Sequence, residues 1–107
     1  MRFVAVMKVD EILDGEARMV VVEGREIMLA RCGDEIFAVE ALCSHAHAYL
    51  HEGSVDRFRC SVECPLHGAE FDLRTGRVLS PPATEPVQVF PVRRSDGNVL
   101  VGLPDVV

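Results

Sequence analysis

The chain has 107 residues, a length that fits one domain of ordinary size. Its formal net charge is −6, and 49% of its residues are hydrophobic, which is the composition of a folded protein rather than a disordered one. The acidic balance argues against general binding of nucleic acid or of anionic membranes. No stretch approaches the roughly 18 consecutive apolar residues that a transmembrane helix needs.

The first ten residues, MRFVAVMKVD, lack the apolar core and the small-residue cleavage site of a signal peptide. We therefore expect a cytoplasmic protein, in which disulfides are rare and cysteines more often bind metals or carry chemistry. The chain contains four Cys and four His, a high number for its length. Their spacing must decide between two disulfides and a metal site.

Short apolar runs rich in β-branched residues follow one another along the chain, and turn residues separate them. This pattern predicts an all-β, antiparallel fold. The predicted strands are residues 3–9, 17–22, 26–31, 35–41, 56–63, 69–73, 87–92 and 99–101. Glycine-containing pairs predict hairpin turns at residues 14–15, 23–24, 33–34 and 96–97, and a three-residue hairpin loop at 74–76.

Three segments interrupt the strand pattern: residues 42–53, 64–68 and 80–86. The first holds three of the four His residues, and the third, SPPATEP, contains a Pro-Pro pair. Because proline lacks a backbone N–H and has a fixed φ, this pair predicts a stiff loop rather than a central strand.

The first two of these loops each carry one Cys and one His. Cys43 and His45 form a C-x-H motif, and Cys64 and His67 form a C-x-x-H motif. Two Cys and two His suit either a structural zinc ion or a [2Fe–2S] centre in which two His replace two Cys on one iron. Zinc sites usually group Cys with Cys and His with His, whereas here each loop offers one of each. The presence of one Cys and one His in each loop favours the two-iron cluster and leaves zinc as the alternative.

The segment CSHAHAYLHEG, and the segment CPLHGAEF with the proline loop that follows it, resemble the two cluster-binding boxes of the Rieske family. The likeness is to the free-standing Rieske-type ferredoxins of bacterial aromatic-ring-hydroxylating dioxygenase systems. It implies one Rieske domain over residues 1–107, with an antiparallel β base and a small cluster-binding subdomain at about 42–73. The segment 80–86 resembles the family's third loop, which covers the cluster.

The resemblance also implies a ligand set. Cys43 and Cys64 would bind one iron of a single [2Fe–2S] cluster, and His45 and His67 would bind the other. No residue is expected to be catalytic.

Three positions differ from the high-potential members of the family. Those members carry an additional Cys in each box, which form a disulfide, and a Ser whose hydroxyl bonds a cluster sulfur. The matching residues here are Ala48, Leu66 and Ala69. Because fewer hydrogen bonds to cluster sulfur lower the reduction potential, we expect the low end of the Rieske range, about −150 mV.

By the same resemblance, the chain would be a one-electron carrier and not an enzyme. It would accept electrons from a flavin-containing ferredoxin reductase and pass them to a terminal ring-hydroxylating oxygenase, as a monomer with no nucleic-acid or membrane partner. Two alternatives stay open at this point. One is a Rieske-like small subunit of a reductase complex of the nitrite reductase type, and the other is a zinc-stabilised interaction module.

The remaining Cys and His residues have plainer interpretations. Cys32 and Cys60 are expected to be small, buried hydrophobic residues. His47 and His51 are expected to face solvent in the first box, with contact between His47 and a partner as the alternative. Tyr49 is expected to pack under that loop.

Overall fold

The computed structural model describes residues 1–44 and 47–105 of the chain. Within these residues, eleven β-strands form three antiparallel sheets, which confirms the predicted all-β, antiparallel fold. The strands are β1 (Arg2–Lys8), β2 (Ala17–Val22), β3 (Arg25–Cys32), β4 (Glu35–Glu40), β5 (Ser54–Asp56), β6 (Ser61–Glu63), β7 (Glu70–Asp72), β8 (Val78–Ser80), β9 (Val89–Phe90), β10 (Val92–Ser95) and β11 (Asn98–Leu103). Two 3-10 turns accompany them, at Val9–Glu11 and Leu50–Glu52.

The first sheet has the strand order β1-β11-β10, the second β2-β3-β4-β9 and the third β5-β6-β7-β8. The predicted turns at 23–24, 33–34, 74–76 and 96–97 each join two strands that pair with one another. The turn at 14–15 is different, because β1 pairs with β11 in the first sheet while β2 belongs to the second. The prediction of a hairpin at that point was wrong.

Two predicted strands are interrupted in the structure. The run 56–63 is divided because the Asp56 carboxylate accepts the backbone N–H groups of Phe58 and Arg59, at 3.0 and 3.1 Å, and so stabilises a turn between β5 and β6. The run 87–92 is divided into β9 and the start of β10 at Pro91, which has no N–H to donate to a ladder. The short strand β8, beside the proline loop, was not predicted.

The second sheet is covered on both faces, and this produces two hydrophobic cores. Along β3, Ile27 and Leu29 pack with residues of the first sheet, whereas Met28 and Ala30 pack with residues of the third. Because both faces of β3 are covered, its apolar residues form a continuous run rather than an alternating one. The core between the second and third sheets is the one that carries the predicted site.

Across residues 1–44 and 47–105, no helix has the length and apolar character needed to cross a membrane.

Candidate metal centre

The first box begins where the second sheet ends. Val39, Ala41 and Cys43 alternate along the chain and belong to the core between the second and third sheets, and Cys43 is only 4% exposed. The Cys43 N–H donates to the carbonyl of Ala48 at 2.9 Å, which closes the box into a tight loop. His45, the second predicted ligand in this box, lies outside the described residues.

The second box is a reversal between β6 and β7. Cys64 follows β6 directly and is 1% exposed, and its N–H donates to the carbonyl of Ala69 at 2.7 Å. His67 and Gly68 are both left-handed, with φ of 73° and 75°, which turns the chain back within this short loop. The loop therefore buries its Cys and leaves His67 exposed at its outer end.

The structure brings the two cysteines of the boxes together. Cys43 and Cys64 are free thiols, and their side chains are close enough for each to affect the other. Burial raises the pKa of the Cys64 thiol, the Leu66 backbone N–H that donates to it acts in the opposite direction, and the neighbouring Cys43 raises it further. Two buried, adjacent thiols can become thiolates only beside positive charge, so this donor pair fits a site for iron.

His67 does not join Cys43 and Cys64 in a group of donors that could hold a single metal ion. Among the residues described, no three Cys, His, Asp or Glu side chains surround one position suitable for a metal ion, and these residues include three of the four predicted ligands. In a Rieske centre the two Cys and the two His are divided between two irons. The adjacent Cys43 and Cys64, which do not share one group of donors with His67, are compatible with that division.

Two close contacts position the loops around the cysteines. The Ser44 hydroxyl donates to the carbonyl of Glu85 at 2.7 Å and so attaches the first box to the proline loop. At Gly53, a Cβ atom would lie 1.9 Å from the carbonyl oxygen of Glu63 and 3.1 Å from Cδ of Pro65. Only glycine permits this approach between the end of the first box and the start of the second.

The other aromatic and histidine side chains of the first box differ in their exposure to solvent. His47 is exposed, as expected. Tyr49 is partly buried, and its hydroxyl donates to the Glu26 carboxylate at 2.8 Å, which raises the pKa of Tyr49. The expectation for His51 was wrong, because its ring is half-buried with its centroid 5.4 Å from that of Tyr49, and within the described structure its Nδ1 is buried without a hydrogen-bond partner.

One covalent link was not predicted from the sequence. Cys32 and Cys60 are both buried, as expected, but a disulfide joins them, with their Cα atoms 5.8 Å apart. The interpretation of both residues as separate hydrophobic thiols was therefore wrong. The available signal was the alternation of β3, which places Cys32 on the same face as Met28 and Ala30, toward the core that contains Cys60.

Comparison with known proteins agrees with this architecture. The family model described as the Rieske [2Fe-2S] domain matches residues 2–91. The chain therefore belongs to the Rieske [2Fe–2S] family, and its cofactor is a Rieske [2Fe–2S] cluster.

Similar proteins refine the placement within that family. The anthranilate 1,2-dioxygenase ferredoxin subunit of Burkholderia cepacia is 46% identical over 95 residues, which cover 89% of this chain and 86% of the relative. The ferredoxin of carbazole 1,9a-dioxygenase from Nocardioides aromaticivorans superposes with a TM-score of 0.91 at 37% identity, over 94% of this chain and 97% of its own. A ferredoxin solved in complex with the reduced oxygenase of carbazole 1,9a-dioxygenase gives a TM-score of 0.87 at 35% identity, over 92% of this chain and 91% of the matched chain.

Proposed function

We propose that this chain is the ferredoxin of a ring-hydroxylating dioxygenase system, a one-electron carrier rather than an enzyme. It would receive electrons from a flavin-containing ferredoxin reductase and deliver them to a terminal ring-hydroxylating oxygenase. The observation that carries the proposal is the pairing of buried Cys43 and Cys64 behind an exposed His67. The similarity to dioxygenase ferredoxins over most of the chain supports it.

We assign the four ligands by motif and placement. Cys43 and Cys64 would hold one iron, and His45 and His67 the other. When bound, a Rieske cluster accepts and releases a single electron. The buried cysteines would anchor the inner side of the cluster, while His67 lies at the end of the loop that is open to solvent.

The exposed side of the second box is suited to contact with a protein partner. Pro65, Leu66 and His67 are exposed in succession, and Leu66 is 45% exposed. An apolar surface beside a ligand gives a docking partner a dry contact close to the cluster, and electron transfer needs such proximity. The solved complex of a similar ferredoxin with its oxygenase supports the oxygenase as that partner.

The reduction potential would lie near the low end of the Rieske range, at about −150 mV. Ala69 is fully buried and has no hydroxyl to donate to a cluster sulfur, and Ala48 and Leu66 cannot form the disulfide of the high-potential members. A potentiometric titration followed by visible absorption measures the midpoint directly. A midpoint well above zero would overturn this part of the proposal.

Rapid mixing tests the carrier role. The chemically reduced protein is mixed without oxygen with the oxidised terminal oxygenase of an anthranilate 1,2-dioxygenase system, and its own visible bands are followed. We expect reoxidation by one electron per chain, and no reaction with cluster-free protein as the control. Failure to reduce any ring-hydroxylating oxygenase in a panel would contradict the proposal.

Purification from the native host distinguishes a free one-electron carrier from the alternative, a small subunit of a reductase complex. We propose a single domain over residues 1–107 that acts as a cytoplasmic monomer, so a tagged chain should purify alone. Stable co-purification with a large reductase subunit would favour the nitrite reductase type instead.

A further inference from the structure

Two pairs of cysteines cross the same core. Cys32, at the end of β3, is joined to Cys60, which directly precedes β6. Cys43, beyond the end of β4, lies beside Cys64, which directly follows β6. The three-residue strand β6 is therefore connected to the second sheet at both of its ends, by a disulfide at one end and by the candidate metal ligands at the other.

The disulfide is the covalent part of that attachment. In its own sheet β6 pairs with β5 and β7, so side chains in the shared core make its contacts with the second sheet. Cys60 is fully buried, and its backbone is left-handed with φ of 56°, a conformation that is uncommon for residues other than glycine. Its carbonyl accepts the N–H of Leu73 at 3.0 Å. A residue persists in this conformation only where its surroundings hold it, and both the Leu73 hydrogen bond and the bond to Cys32 act on Cys60.

We propose that the Cys32–Cys60 pair is a thiol-redox clasp for the cluster-binding loop. In the oxidised state it fixes the start of β6 against the second sheet, and Cys64 is held in place three residues beyond. When the clasp opens, β6 is attached to the second sheet only through core packing and the cluster ligands, so the cluster is lost more readily. The pair regulates retention of the cluster and not its reduction potential.

The chemistry of opening is thiol–disulfide exchange with a dithiol reductant. A thiolate of the reductant attacks the Cys32 sulfur, because Cys32 is 8% exposed while Cys60 is fully buried, and Cys60 leaves as a thiolate that takes up a proton. The second thiol of the reductant then displaces Cys32 and closes the reductant's own disulfide. The two electrons and two protons of the dithiol end on Cys32 and Cys60. Glutathione disulfide reverses the reaction.

Thiol counting tests whether the pair forms. Cluster-loaded protein is equilibrated with glutathione disulfide, transferred to denaturant that contains a chelator and a maleimide, and mapped by peptide mass. We expect maleimide on Cys43 and Cys64 only, and a linked peptide that contains Cys32 and Cys60. Labelling of all four cysteines would overturn the proposal.

Retention of the cluster tests what the clasp does. Decay of visible absorption in excess iron chelator is compared for the oxidised protein, for the protein pre-reduced with dithiothreitol, and for the double variant Cys32→Ala/Cys60→Ala. We expect several-fold faster decay after reduction, and the same fast decay in the variant with or without dithiothreitol. Equal decay before and after reduction of the wild type would overturn the clasp, whether or not the variant folds.

The double variant also controls for direct action of the reductant on iron. Acceleration of its decay by dithiothreitol would show that the reductant acts on the cluster itself, and would contradict the proposal. Its midpoint potential should equal that of the wild type, since the strand β6 lies between Cys60 and Cys64, and its three residues span about 10 Å. A shifted potential would also contradict it. None of these measurements involves an oxygenase, so their failure is separate from any failure of the carrier function.

Discussion

Cys60 and Cys64 flank the strand β6, and each is paired with another cysteine across the core between the second and third sheets. Val62, also fully buried, lies between them in the same core. Val62 and Cys64 follow the two-residue repeat of a strand, and Cys60, with its left-handed backbone, belongs to the same core. The disulfide and the candidate metal site are thus two ends of a single packed layer.

The ligand assignment predicts which substitutions abolish the cluster. Cys64→Ala and His67→Ala should each remove the visible absorption and the bound iron, because each would leave one iron with a single protein ligand. His47→Gln is the matched control, since His47 is an exposed residue of the first box and is not assigned as a ligand. Iron analysis and absorption spectra of the three proteins provide the measurement. Loss of the colour in His47→Gln would show that the assignment is wrong.

The close approach at Gly53 predicts a steric effect. In Gly53→Ala the added Cβ would have to displace the Glu63 carbonyl, and overpacking of this kind costs about 1–3 kcal/mol of the free energy of unfolding. The displaced segment leads into Cys64, so cluster loading should also fall. Urea denaturation and iron analysis measure the two effects.

Gly24→Ala is the control for the Gly53 experiment. Gly24 has a φ of 80°, and no atom lies within 4 Å of the position of an added Cβ, so this variant reports the cost of backbone strain alone. Its free energy of unfolding should fall by about 1–2 kcal/mol, and it should keep its full iron content. Normal loading in Gly53→Ala would contradict the role given to this contact.

The hydrogen bond from Ser44 to Glu85 predicts a loosened first box when it is removed. Ser44→Ala should lower the free energy of unfolding by about 1 kcal/mol and speed the loss of the cluster to a chelator. Ser95→Ala, on an exposed position of β10, is the comparison. If the two variants lose the cluster at the same rate, the proline loop does not stabilise the first box through this bond.

The raised pKa of Cys64 predicts a pH dependence in the cluster-free protein. A thiol with a higher pKa in the folded than in the unfolded state contributes stability that is complete below the unfolded value, about 8.5, and is lost as the pH rises through the folded value. The free energy of unfolding should therefore fall as the pH rises from about 8.5 upwards. Urea denaturation across this range measures the slope.

Cys64→Ala isolates that contribution. Its stability should depend less on pH over the same range, because the titrating thiol is absent while the Cys32–Cys60 disulfide is retained. An identical slope in both cluster-free proteins would contradict the prediction.

The features that could be predicted from the sequence are those that depend on residues close together in the chain. The boxes could be recognised because Cys43 with His45, and Cys64 with His67, lie close together in the chain, and the β-sheet fold follows from the alternation and turn residues. The interruption of the run 56–63 depends on Asp56 as an acceptor for two backbone N–H groups, a signal of one residue inside an apolar segment.

The missed disulfide has a different cause. Cys32 and Cys60 are 28 residues apart, one at the end of β3 in the second sheet and the other just before β6 of the third, so their contact depends on how those sheets pack. The alternation of β3 gives the face on which Cys32 lies but not the element opposite it. The half-buried His51 was also missed: its ring packs near Tyr49, and the Tyr49 hydroxyl is attached to Glu26 of β3, a contact between distant parts of the chain.

The central claim is a two-iron cluster with one iron held by two histidines. Pulsed electron paramagnetic resonance of the chemically reduced protein, with natural and with ¹⁵N-labelled histidine, tests it most directly. We expect couplings to two histidine nitrogens, both of which change on labelling. A paramagnetic cluster without histidine couplings, or a protein that contains zinc and gives no signal, would contradict it.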